Sequence, residues 1–169
     1  MGHQAIIYGR IQEHWEGTSA RWPITPEYNR CVLEALPDRD DHWPFLTRHM
    51  FAVAARPFHG DMDRGDYRGS VIHFAASTKD DPEESKWPEW FLIKLEQLVL
   101  KRLLWSSAKV HFESAFFPDR AVLYEVDRES LAALHAELGR NRFGERVENE
   151  VRWGRREMKT ITERASWLC

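Results

Sequence analysis

The chain has 169 residues, 43% hydrophobic and 30% charged, which predicts one domain with a real core and excludes global disorder. A formal charge of −3 argues against a nucleic-acid partner, which calls for a dominant basic face. The charge is uneven: from Gly139 onward eight Lys/Arg face five Glu, a balance of +3, so the preceding residues carry −6.

The two cysteines, Cys31 and Cys169, make no disulfide framework and read as free thiols of a reducing compartment. No secretory leader and no apolar run of membrane-spanning length is seen, so a cytoplasmic protein without membrane contact is expected. Eight Trp is a high count for this length, and each needs burial or an interface.

Ala5 to Ile11 is rich in strand formers and predicts the first strand, with Gly9 marking a bulge or a close approach by a neighbour. His14 to Pro26 reads as a loop holding Trp15 and Trp22. Thr25 is expected to cap a short helix with Pro26 at its first position. Tyr28, Cys31, Val32, Ala35 and Leu36 should face inward, and Pro37 should stop it.

An acidic loop, Asp38 to His42, leads into Trp43-Pro44. Arg48 to Ala54 alternates as a second strand, and Pro57 to Gly69 forms a second acidic loop with Asp61, Asp63 and Asp66. Ser70 to Ala76 predicts a third strand, with Ile72, Phe74 and Ala76 on one face. A third acidic run, Asp80 to Glu84, precedes the most apolar stretch of the chain.

That stretch predicts a central buried helix over 86–105, capped by Ser85 and with Pro88 in its first turn. Trp90, Phe91, Leu95, Leu98, Val99 and Leu103 recur at helical spacing, while Leu92, Ile93, Leu100 and Leu104 widen the apolar face. Beyond Ser106-Ser107 the period falls to two, so 109–116 and 121–126 read as an antiparallel hairpin. Asp127 should cap a helix through Leu138, ended by Gly139. Val147, Asn149, Val151 and Trp153 alternate like a strand, and Gly154-Arg155 offers a turn back.

The element order predicts an α+β fold, a mainly antiparallel sheet with helices packed on one face. A single domain is expected, residues 1–139 forming its core and 140–169 a segment whose structure the pattern leaves open.

Catalytic signatures are sparse. The two-histidine helix of the zincins is absent, as is a G-x-S-x-G elbow. Asp61 to Asp66 departs from a calcium loop, since Gly65 stands fifth rather than sixth and no Glu stands twelfth. No metal or other cofactor is expected. The enzymatic alternative is a metal-dependent hydrolase or nuclease with a His/Asp site near His42, His59, Asp61 and Asp63.

What remains is the association of acids with tryptophans. Asp38, Asp40 and Asp41 adjoin Trp43; Asp80, Asp81, Glu83 and Glu84 adjoin Trp87 and Trp90; Glu13 and Glu16 flank Trp15. Exposed aromatics rimmed by one sign of charge make a protein-binding surface, the rings fixing affinity and the field speeding encounter. The partner-binding residues expected are Trp15, Asp38, Asp40, Asp41, Trp43, Asp61, Asp63, Asp66, Asp80 and Asp81, against a basic partner.

Over roughly Ala5 to Val126, the segments IIYGRI, TRHMFAVA, VIHFAASTK and WPEWFLIKLEQLVLKRLLWSSAKVHFES resemble small bacterial immunity-type proteins, encoded beside secreted antibacterial toxins. The resemblance lies in overall pattern, without a motif that specifies a toxin. It implies a non-catalytic protein that binds a cognate toxin, such as a nuclease, stoichiometrically. A homodimer through the Trp-rich surface is a third expectation.

Overall fold

A computed structural model describes residues 3–14, 24–53, 71–80, 86–140 and 147–158. Within them lie β1 (His3–Glu13), α1 (Ile24–Glu34), β2 (Phe51–Val53), β3 (Val71–Asp80), α2 (Trp87–Leu95), β4 (Trp105–Glu113), β5 (Arg120–Val126), α3 (Arg128–Arg140) and β6 (Trp153–Met158). The strands form one antiparallel sheet in the order β2-β3-β1-β4-β5-β6. This is the α+β architecture that the sequence pattern predicts.

Side chains alternate across a strand, so a sheet covered on one side buries every second residue. In β1 the buried set is Ala5, Ile7, Ile11 and Glu13; Ile72 and Phe74 of β3 and Val110 and Phe112 of β4 share that side. There α2 lays Trp87 and Phe91 edge-on against Phe112, and Phe91 also meets Phe74. Leu33 of α1 and Leu131 and Leu134 of α3 join the same core.

The central helix is shorter than the apolar run. Across Glu96–Leu100 the α-helix widens into a π-turn, with Lys101 N–H donating to the Glu96 carbonyl. Trp105 Nε1 donates to the Leu100 carbonyl at 2.7 Å, so the chain turns there and β4 begins at Trp105, ahead of the expected 109. Trp90 and Ile93, counted with the apolar face in sequence, are exposed.

Other expectations shift for local reasons. Cys31 is exposed, because Thr25, Asn29 and Leu33, four apart, make the buried stripe of α1. Thr25 stands buried inside a helix that already starts at Ile24. Arg48–Met50 is a 3₁₀ turn, which leaves β2 only three residues. Gly139 lies within α3, and Gly154-Arg155 lies within β6 rather than in a turn. The stretch 147–152 before β6 forms no strand: the Glu137 carboxylate accepts the backbone N–H groups of Glu148 and Asn149 and the Asn149 side chain. Ser85, Trp22, Cys169, the loop 57–69 and the expected element over 158–165 lie largely or wholly outside the described residues.

Candidate functional site

The acidic loop before Trp43 is held by one cation. Lys94 of α2 donates to Asp40 Oδ2 at 2.7 Å and to the carbonyls of His42 and Pro44 at 2.6 and 2.9 Å. The Asp40 carboxylate also accepts the backbone N–H groups of Leu46 and His42. Burial opposes its ionisation, but these donors outweigh that and hold the Asp40 carboxyl below its ordinary range.

Its acidic neighbours are also paired. Asp41 meets Arg39 Nε at 2.7 Å, and Asp38 lies between Arg48 and His49. Every carboxylate of this loop therefore has a cation of its own. The loop is a clamp on α2 more than a negative field.

Trp43 is half-buried. Its ring packs on the core beside Trp87, with Phe45 edge-on at 5.4 Å. Phe45 is 50% exposed, and Trp90 and Ile93 on α2 are 43% and 41% exposed. Trp90 lies one helical turn before Lys94, so it shares the side of α2 to which the loop is tied. Phe45 also walls a groove of about 140 Å³ with Trp43, Met50 and Thr78. Exposed apolar side chains thus stand on both elements that the clamp joins, Trp90 and Phe45 outward and Trp43 partly inward. The clue was available: Trp90 stands between Trp87 and Phe91, which already fill the inward positions of the first turns.

Of the other expected binding residues, Asp80 ends β3, and Trp15, Asp61, Asp63, Asp66 and Asp81 lie outside the described residues. Glu13, expected beside Trp15 on the surface, is instead 3% exposed. It continues the inward alternation of Ala5, Ile7 and Ile11, and its Oε1 accepts Asn29 Nδ2 at 2.9 Å while Oε2 meets no donor among the described residues. Asn29 completes this buried knot by exchanging hydrogen bonds with the backbone of Leu104.

Comparison with protein-family models, with curated proteins and with solved structures finds no significant match. The chemistry of its own side chains is what bears on function.

Most residues of the His/Asp reading lie outside the described part of the chain. His42 points to solvent and His49 meets Asp38, while His59, Asp61 and Asp63 lie outside the described residues. Among the described residues no three His, Cys, Asp or Glu side chains converge as a metal would require.

A cleft of about 670 Å³ opens between α3 and the adjoining ends of β4 and β5. His14 and His135 meet edge-on in it at 5.8 Å, and Arg128 and Glu125 bring opposite charges to its wall. Leu131, Ala132 and Ala136 make the rest largely apolar. Nothing in the linear pattern joins His14 to His135; only the packing of α3 does.

A polar cluster ties α2 to the sheet. Arg155 of β6 grips both oxygens of Glu89 at 2.7 and 2.5 Å and approaches Glu96 at 3.6 Å; the buried Tyr124 hydroxyl donates to Glu96 at 2.8 Å. The Arg155 hydrogen bonds hold Glu89 below its usual range, and burial followed by the Glu96 charge raises Tyr124. The bidentate Arg155–Glu89 pair, with Tyr124 donating to Glu96, makes it a structural brace.

Proposed function

We propose that this chain is a binding protein of the immunity type, which occupies a secreted toxin stoichiometrically and performs no chemistry of its own. The observation that carries the reading is the outward Trp90, on a helix whose opposite face is fully buried, with Ile93 and Phe45 exposed on the same side. Isolated surface hydrophobics are ordinary. A tryptophan grouped with two further large apolar side chains, on a rigid helix and a clamped loop, has the composition of an interface anchor.

The internal pairing of Asp38, Asp40 and Asp41 refines the reading. Affinity would rest on the aromatic anchors, and any steering of a basic toxin would fall to Asp61, Asp63, Asp66, Asp80 and Asp81. Among the described residues no helix is long and apolar enough to cross a membrane. Residence in the cytoplasm, where an incoming toxin would be met, belongs to the same proposal.

Co-expression with the toxin encoded beside it is the test. The pair should co-purify at fixed stoichiometry and protect the host, and Trp90→Ala should weaken both effects. A pair that neither co-purifies nor protects ends the proposal. If the isolated chain is a dimer that Trp90→Ala dissociates, the patch is a homodimer contact instead.

A further inference from the structure

Among the described residues the helices all pack on one side of the sheet and none covers the other, whose charge is opposite in sign to that of the whole chain. The ladder pairs Ala52 with His73, His73 with Arg10, Arg10 with Lys109, Lys109 with Leu123, and Leu123 with Arg156. Arg10, Lys109 and Arg156 therefore stand in one row across four strands, with His73 beside them. Neighbouring strands lie about 4.8 Å apart. In all, Arg10, Lys79, Lys109 and Arg156 face Glu113 and Glu125 on this side, an excess of two positive charges.

None of the three row cations has an ion-pair partner among the described residues, although most charged groups on the helix-covered side are paired. Like charges directly opposite on adjacent strands are destabilising, so the juxtaposition of Arg10 and Lys109 serves no evident purpose in the fold. One ladder row away, Tyr8 and His111 stack in parallel planes, 1° apart in tilt with centroids at 4.8 Å, and Tyr8 is 37% exposed. Cations in a line and a flat aromatic stack beside them match two features of a single nucleic-acid strand: regularly spaced phosphates and unpaired bases that stack on rings.

We infer that this face of the sheet binds single-stranded nucleic acid, with Arg10, Lys109 and Arg156 on backbone phosphates and a base stacked at Tyr8. A duplex fits less well, because its bases are already stacked and its grooves admit a helix or a two-stranded ribbon rather than a broad sheet. An acidic protein segment would use the cations but not the stack. The total charge of −3 conceals this surface because a sum carries no geometry. The inference is independent of the toxin-binding reading, whose anchors are on the helix-covered side.

The test is fluorescence anisotropy of a labelled 15-mer of oligothymidylate or oligouridylate titrated with the full chain at several salt concentrations. Both strands should bind alike, with a slope of log affinity against log salt of about −2 for three phosphate contacts. Tyr8→Ala should weaken binding about tenfold. Arg10→Gln with Lys109→Gln should abolish binding while circular dichroism and the melting temperature show an intact fold. Trp90→Ala should leave binding unchanged. Absence of binding at low salt overturns the inference. So does equal binding of a duplex, or displacement by polyglutamate as efficient as by unlabelled strand with no effect of Tyr8→Ala, which would leave only general attraction of polyanions.

Discussion

The ring of Phe74 lies over Gly9: a Cβ built on that glycine would stand 2.4 Å from Phe74 Cζ and 2.4 Å from the Lys109 carbonyl oxygen. The close approach anticipated from a glycine inside a strand is therefore real, and it comes from two sides at once. Gly9→Ala should destabilise the protein by about 3 kcal/mol, the upper end for overpacking, because one obstacle is backbone that cannot turn aside. Urea denaturation would measure it. Adding Phe74→Leu should recover part of the loss; full recovery would mean that the Lys109 carbonyl is no obstacle.

The Lys94–Asp40 clamp makes a prediction about pH. A carboxyl whose folded pKa is lowered contributes stability that is present above its unfolded value, about 3.9, and lost as pH falls through the folded value. Asp40→Asn should therefore be less stable than the parent at pH 7, and the deficit should close below about pH 4. Lys94→Met, which leaves a largely buried carboxylate and two carbonyls without their donor, should cost about 2 kcal/mol at neutral pH. Stability curves across pH check both; a deficit that persists unchanged in acid would remove Asp40 from the account.

Trp87 and Trp90 should separate cleanly. Trp87 is fully buried, and Trp87→Ala should cost about 4 kcal/mol of stability. Trp90→Ala should move stability by no more than about 0.5 kcal/mol, while partner affinity falls by about 2 kcal/mol or more through faster dissociation. Paired unfolding and binding measurements on the two variants distinguish core from anchor. Equal loss of stability in both would return Trp90 to the core.

Tyr124 and Arg155 both act on Glu96, so their effects should not add. Tyr124→Phe should cost about 1 kcal/mol, and Arg155→Ala, with a side chain 26% exposed, about 2 kcal/mol. The double variant should lose less than the sum. A thermodynamic cycle gives the coupling directly; strict additivity would show that Glu96 does not join them.

Where one face of an element is buried, the linear pattern was readable. The alternation of Ile72 and Phe74, and the hairpin of β4 and β5, follow from period two alone. Boundaries were less so: the π-turn at Glu96–Leu100 arises from how Trp105 folds back onto Leu100, which periodicity cannot register. The site was least legible. Acids and tryptophans near one another in sequence suggested a negative rim, but the acids of the first loop are paired: Asp41 and Asp38 with the nearby Arg39 and Arg48, and Asp40 with Lys94, which lies far along the chain. Likewise, Arg10, Lys109 and Arg156 become neighbours only once three ladders are in register.

The place of β1 in the sheet has a consequence for how the chain reaches this state. Its two partners arrive late, since Ile7 pairs with Ala76 on one side and Phe112 on the other. During synthesis β1 emerges ahead of both partners, so it cannot pair with β3 until that strand follows and is not enclosed until β4 is complete. Long-range antiparallel pairing of this kind must bear the entropy of closing large loops before any ladder bond rewards it, which makes folding slow compared with a chain of local hairpins. In the interval, an apolar strand with both edges open is available to chaperones and to other nascent copies.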